Sequence, residues 1–162
     1  MPTATPSRIN PSPIDLNESV KSVLAQKPPA LWSISPDSSV FEAIELMSAR
    51  RVGALVVLSS GGLAGIISER DYARKVILKG RQSRETRVRE IMTAPALFVT
   101  PQQTIGECMH IMTSRQIRHL PVLDGERVIG MLSIGDVVNW IISAQDDTIR
   151  HLKNYIAGAY PG

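Results

Sequence analysis

Two short apolar runs, ALVVL at Ala54–Leu58 and HLPVL at His119–Leu123, anchor the hydrophobic pattern of the chain. Each is apolar at consecutive positions and bounded too closely for a helix, so each predicts a buried strand. A turn follows both, Ser-Ser-Gly-Gly after the first and Asp124-Gly125 after the second, and then an apolar run returns, Leu63–Ile67 or Val128–Leu132. These are hairpin signals. Upstream, Ser39-x-x-Glu42 and Thr104-x-x-Glu107 read as capping boxes, each opening a helix. In the second of these helices Ile105, Met109 and Met112 recur at spacings of four and three, a stripe that faces a core. Ahead of the boxes, extended pieces at Leu31–Ser35 and Ala96–Thr100 run into Pro36 and Pro101, where turns start. A further helix follows each return strand. The order is β-α-β-β-α, twice.

The two halves are copies of one unit. GIISERD (65–71) recurs as GMLSIGD (130–136), 65 residues downstream. The same gap-free offset pairs Pro36 with Pro101, Glu42 with Glu107, Met47 with Met112, Arg50 with Arg115, Leu55 with Leu120 and Val57 with Val122. Chance matches scatter over many offsets, whereas one register held throughout marks a tandem duplication. The strands are apolar on both faces, so both sides of each small sheet need cover. Helices cover one side, and the duplicated partner sheet is the evident cover for the other, since sheets this small are marginal alone. The expected fold is α/β (α+β): two β-α-β-β-α repeats packed sheet to sheet with pseudo-twofold symmetry. Residues 1–18 are expected to form a disordered Pro- and Ser-rich tail, its mobile part Met1–Pro13. Repeat 1 spans 19–80, led by a short amphipathic helix over Ser19–Gln26, and repeat 2 spans 88–145 after a linker at 81–87. Residues 146–162 form a helical extension, with the helix stopped by Gly158 and Pro161. Trp140, Leu152 and Tyr155 on it offer either a docking surface for another copy or packing within the chain.

Composition narrows the class. A chain of 162 residues, 43% of them apolar, with a net charge of +3, can bury a core and is not a disordered polymer. No apolar run approaches the roughly 20 residues of a membrane helix, and the first residues lack the apolar stretch of a secretory signal. The single cysteine, Cys108, excludes an internal disulfide, and a reducing cytoplasm is the expected location. Beside the Met109–Met112 stripe it fits core packing better than a reactive thiol. His110 and His151 lack partners at ligand spacing, so no metal is expected. No nucleophile-base pairing, GxGxxG run or P-loop stands out, and no enzyme is expected. Positive charge is concentrated: eight Lys and Arg lie between Arg70 and Arg89 against Asp71 and Glu85. That stretch is either a solvated face with its linker or an attractor of phosphate. Nucleic acid is thus an alternative partner, and a ligand-free dimerisation module another; the few aromatics (two Phe, three Tyr, two Trp) count against single-strand stacking.

The repeated Ser-x-x-Asp, Ser68 with Asp71 and Ser133 with Asp136, carries the most chemistry. It stands where a return strand meets a helix, and a carboxylate there can accept both hydroxyls of a ribose cis-diol. The serine hydroxyl can donate to a sugar or phosphate oxygen. The same residues also satisfy a purely structural role, Ser as N-cap and Asp as the capping acid three residues on.

With GIISERD and GMLSIGD, the strands RVGALVV (51–57) and RHLPV (118–122), and VREIMT (88–93), the span from about Val20 to Ser143 resembles a tandem pair of cystathionine β-synthase (CBS) domains. SERDYARKVILKGR (68–81) and LKNYIAGAY (152–160) are similar to stand-alone bacterial and organellar CBS-pair proteins. The resemblance implies a regulatory module with two symmetric clefts that take adenosine ligands: AMP, ADP or ATP, NAD(H), S-adenosylmethionine. By position it assigns Ile66, Ser68 and Asp71 to one cleft, with Thr93, Ile117, Arg118 and His119 opposite. The other takes Met131, Ser133 and Asp136, with Val52, Gly53 and Ala54 opposite. Arg70, Arg118 and His119 are the implied phosphate contacts. It also implies a homodimer and a regulated protein partner that the sequence does not identify. The repeats differ where phosphate would sit. Arg118-His119 stands against Gly53-Ala54 and Arg70 against Gly135, so the Asp71 cleft is expected to prefer the more highly charged ligand and the Asp136 cleft to be the less occupied.

Overall fold

The computed structural model describes residues 15–159; of the tail expected to be disordered over 1–18, residues 1–14 lie outside these. The carbonyls of Leu16 and Glu18 accept the Gly106 and Ile105 N–H groups, so the end of the tail is held by backbone hydrogen bonds to the second unit. In chain order the elements are α1 (Val20–Ala25), β1 (Ser33–Ile34), α2 (Val40–Arg50), β2 (Ala54–Ser59), β3 (Gly62–Ser68), α3 (Glu69–Tyr72, continuing as a π-helical turn over Ala73–Ile77), α4 (Val88–Ile91), α5 (Ile105–Arg115), β4 (His119–Asp124), β5 (Arg127–Ser133) and α6 (Ile134–Ala159). The mixed α/β architecture is the expected one. β1 pairs parallel with β2, and β2 antiparallel with β3. In the second unit β4 pairs antiparallel with β5, and a single parallel bridge from Val99 to Val122 stands where the first unit has β1. Both hairpins carry a register slip at equivalent places, Val57/Leu58 and Val122/Leu123, so even this irregularity was duplicated. The turns close through Gly62 and Gly125, both at positive φ, where glycine meets no Cβ penalty.

Local chemistry sets the helix ends. Ser39 and Glu42 form the reciprocal capping box. Thr104 accepts from the Glu107 N–H, but Glu107 does not reach back; its carboxylate takes the Gln103 side-chain amide instead. Only half of that expected box therefore forms. Arg51 and Gln116, 65 residues apart, end α2 and α5 in the left-handed conformation. α6 runs unbroken to Ala159, with Gly158 inside it rather than at its end. Of the three residues expected either to dock another copy or to pack within the chain, Trp140 packs on the second unit's core, while Leu152 and Tyr155 are exposed.

Two cores form, and each borrows a helix. Val40, Ala43, Met47, Leu55, Val57 and Ile67 of the first unit pack with Val88 and Ile91 of α4. Val99, Ile105, Cys108, Leu120, Val122 and Leu132 of the second unit pack with Val20 and Val23 of α1. The backbone repeats the exchange. The Val88 N–H donates to the Ser38 carbonyl and the Val40 N–H to Thr86, at 2.9 and 2.8 Å. The Val20 N–H donates to Gln103 and the Ile105 N–H to Glu18, both at 2.9 Å. α1 and α4, each preceding a repeat in sequence, thus complete the opposite one, which ties the two units into one body. Cys108 is buried in the second core, and burial pushes its thiol up to about 11, so it stays a neutral packing group.

Candidate functional site

β3 touches β5 across the pseudo-twofold axis, and two clefts open where the units meet. The first, of about 550 Å³, is lined from one unit by Ile66, Ser68, Arg70 and Asp71 and from across by Thr93, Ile117, Arg118 and His119. The second, of about 340 Å³, is lined by Val52, Gly53, Ala54, Met131, Ser133 and Asp136. All fourteen residues singled out in the sequence fall on these two walls, each in the cleft expected for it.

Sequence reasoning missed several neighbours. Glu69, Arg74, Lys75, Arg115 and Gln116 also line the first cleft, and Lys27, Pro28, Trp32 and Arg51 the second. Lys75 was within reach of the pattern, lying four residues after Asp71 on one helix face. Lys27 was not, since it meets Asp136 across 109 positions of sequence.

At the base of each cleft the Ser-x-x-Asp motif caps a helix. The Ser68 N–H and hydroxyl donate to Asp71 Oδ2 at 2.9 and 3.0 Å, and the Asp71 N–H donates to Ser68 Oγ at 3.2 Å. Lys75 Nζ lies 3.0 Å from Asp71 Oδ1, and the Thr93 hydroxyl donates to the same oxygen at 3.3 Å. In the second cleft the Ser133 N–H donates to Asp136 Oδ2 at 2.8 Å, and Lys27 Nζ to that oxygen at 2.7 Å. The carboxylates that cap these helices thus also line the two clefts. Asp71 is 8% exposed, low enough that a ligand reaching it must enter from the cleft.

The borrowed helices also shape the walls. Ile66 and Thr93 exchange both backbone hydrogen bonds, at 3.1 and 2.8 Å, which brings Thr93 onto Asp71. Gly65 permits this approach, because a Cβ there would stand 2.7 Å from the Thr93 carbonyl oxygen. Met131, the counterpart of Ile66, has its carbonyl capped by Lys27 Nζ at 2.8 Å instead. Across the first cleft's mouth, Arg70 donates to the Gln116 carbonyl and links the units.

His119 and Gly53 line both clefts, so one thin wall separates them. Burial is the main reason the His119 imidazole titrates below its ordinary value of 6.5; Lys27 and Arg118 push the same way, and Asp136 opposes them. The folded state therefore holds His119 neutral while the unfolded chain takes up a proton at higher pH. Stability is whole above about pH 6.5 and is lost as the pH falls toward the lowered folded value. Thermal unfolding between about pH 7.5 and about pH 5 should show His119→Gln losing less stability on acidification than the parent chain; equal losses would overturn this assignment.

Much of the basic stretch from Arg70 to Arg89 is committed within the chain. Arg81 pairs with Glu90 at 2.6 Å, Arg87 and Arg89 pair with Asp37, and Arg84 lies 3.8 Å over the Phe41 ring. The cations that line the first cleft are Arg70, Arg74, Lys75, Arg115 and Arg118, against the acids Glu69 and Asp71. Among the described residues no group of three His, Cys, Asp or Glu side chains could hold a metal ion. No helix among them is long and apolar enough to cross a membrane.

Comparison with known proteins agrees with the duplicated fold. A family model, the CBS domain, matches residues 20–77 and again 88–143. A mitochondrial CBS domain-containing protein of Arabidopsis thaliana is 43% identical over 135 residues, 80% of this chain; the chain spans 65% of that relative's length. Among solved structures, a protein with CBS domains from Burkholderia ambifaria is 46% identical, with 79% of this chain and 96% of that one covered and a TM-score of 0.77. A CBS domain pair in complex with 5′-methylthioadenosine and S-adenosyl-L-methionine shares the fold at a TM-score of 0.68 and 24% identity, covering 78% of this chain and 98% of that one.

Proposed function

We propose that this chain, which belongs to the CBS domain family and carries two copies of the domain in tandem, is a regulatory module that binds adenine nucleotides in its two inter-unit clefts and passes their presence to a protein partner. The observation that carries the reading is the pair of clefts, each with a cleft-facing aspartate at its base and backbone of the opposite unit across from it. A carboxylate held by its own helix start can receive a ribose diol without reorganising the backbone. The five cations of the first cleft suit a diphosphate, so ADP, ATP and NAD(H) are the ligands we assign there. The CBS pair described with methylthioadenosine and S-adenosyl-L-methionine supports the fold as a holder of adenosine, while the choice of ligand rests on the side chains of this chain.

The mechanism is a population shift. A ligand touching both units favours the orientation in which both walls reach it, and that orientation is what a partner reads. Such a module works by binding and not by turnover, and we place it in the cytoplasm as a homodimer. A nucleic-acid reading is not favoured, because so many arginines of the basic stretch already hold acids or rings of the same chain.

Calorimetry with AMP, ADP, ATP and NADH tests the proposal. Asp71→Ala and Asp136→Ala should each weaken binding at one cleft by at least about tenfold, the value of one charge-assisted hydrogen bond. Unchanged affinities in both variants would remove the ribose role.

A further inference from the structure

The two aspartates look equivalent in sequence, but their oxygens are not equally engaged. An ionised carboxylate offers about four acceptor sites, two on each oxygen. Asp71 has all four in use: Ser68 supplies two donors to Oδ2, and Lys75 and Thr93 supply one each to Oδ1. Asp136 uses two, both on Oδ2, from Ser133 and Lys27. Its Oδ1 has no partner among the described residues. Nor is it sealed in, since no buried side-chain oxygen there lacks a partner. Asp136 thus presents an open oxygen to the second cleft.

A diol arriving at Asp136 finds an empty acceptor and displaces nothing. At Asp71 it must first remove a donor. Thr93 and Ser68 can rotate a hydroxyl, but the strongest of the four is the Lys75 ammonium. That group also donates to the Ile91 carbonyl at 2.8 Å, at the end of the borrowed helix α4. A neutral nucleoside offers Lys75 no replacement for the carboxylate. A phosphate does, and Lys75 sits in the same cleft where that phosphate would lie.

We infer that the clefts divide ligands by class: the Asp136 cleft takes adenosine itself, and the Asp71 cleft takes adenosine only when a phosphate draws Lys75 away. Lys75 is then a specificity-determining residue that screens out neutral nucleosides. Its departure also releases Ile91, so filling of the first cleft loosens one tie on α4. This inference rests on the nucleotide-binding reading above and refines it.

The test is calorimetry of the full chain with adenosine and with ADP as probes. Adenosine should bind at one site, lost in Asp136→Ala and kept in Asp71→Ala. In the Asp136→Ala chain ADP should still bind, and adding Lys75→Met should raise adenosine affinity at the first cleft by about five- to tenfold while lowering that for ADP. Lys75→Gln, which exchanges the ammonium for a weaker neutral donor that can still reach the Ile91 carbonyl, should show a smaller gain for adenosine and guards against a loss of fold. Equal adenosine binding by both clefts of the parent chain, or no gain in either Lys75 variant, overturns the division and leaves nucleotide binding standing. Absence of binding by both probes and by AMP, ATP and NADH removes both readings together.

Discussion

Val20→Asp is expected to unfold the second unit, not the first repeat that it precedes in sequence. Val20 is 0% exposed and packs with Ile105, Leu120 and Val137, while its backbone N–H is spent on Gln103. The substitution removes an apolar side chain from a closed core and leaves a carboxylate there without a partner. Burying an unpaired charge is among the few mechanisms that cost more than about 4 kcal/mol. That is a large share of the roughly 5–15 kcal/mol that hold a domain of this kind together. Amide hydrogen exchange gives the local readout. Protection should fall first across β4 and β5, with β2 and β3 persisting to higher urea. The mirror variant Val88→Asp should reverse the order, because Val88 completes the core of Met47, Leu55 and Ile67. If Val20→Asp instead opened β2 and β3 first, the exchange of helices between the units would be refuted.

That exchange marks where sequence reasoning stopped. The hairpins, the opening helices and the duplication were legible because each rests on short-range pattern: apolar runs, turn glycines, one constant offset. The site was legible for the same reason. Ser68 and Asp71 are three residues apart, and the resemblance of the second strands supplied the facing residues. The borrowed helices were hidden by a change of spacing. Val20 and Val88, which play equivalent parts, are 68 residues apart rather than 65, so a gap-free alignment does not bring them into register. Their destination was equally hidden, since nothing local says which of two similar cores a four- or six-residue helix will cover. Lys27 follows from this: only once α1 lies on the second unit does the segment after it reach Asp136. The half-formed box at Thr104 was lost to a competitor, as Gln103 already holds the Glu107 carboxylate.

Arg118→Glu is expected to weaken ADP binding by about a hundredfold, with adenosine binding changed by no more than about threefold. Arg118 and Gly53 occupy equivalent backbone positions. The Arg118 carbonyl accepts the Ile134 N–H at 2.9 Å and the Gly53 carbonyl accepts the Glu69 N–H at 3.0 Å, so each fixes the start of a helix next to a cleft. The backbone is alike and the side chain is not. Arg118 lines only the first cleft, whereas Gly53 leaves the matching place in the second without a cation. Loss of one charge-assisted contact to a diphosphate accounts for about tenfold, and the reversed charge repels what remains. Arg118→Gly, which gives the first cleft the residue of the second, should therefore show only the smaller, roughly tenfold part. The reciprocal Gly53→Arg would bring a cation to the matching place in the second cleft, its Cβ in van der Waals contact, at 3.4 Å, with His119 Cε1 on the wall that both clefts share. Because the arginine acts through charge, the gap between parent and Arg118→Glu should narrow as salt is raised. An ADP affinity that ignores both Arg118 variants would mean that the phosphates lie away from this residue, and the charge asymmetry between the clefts would then have no part in choosing the ligand.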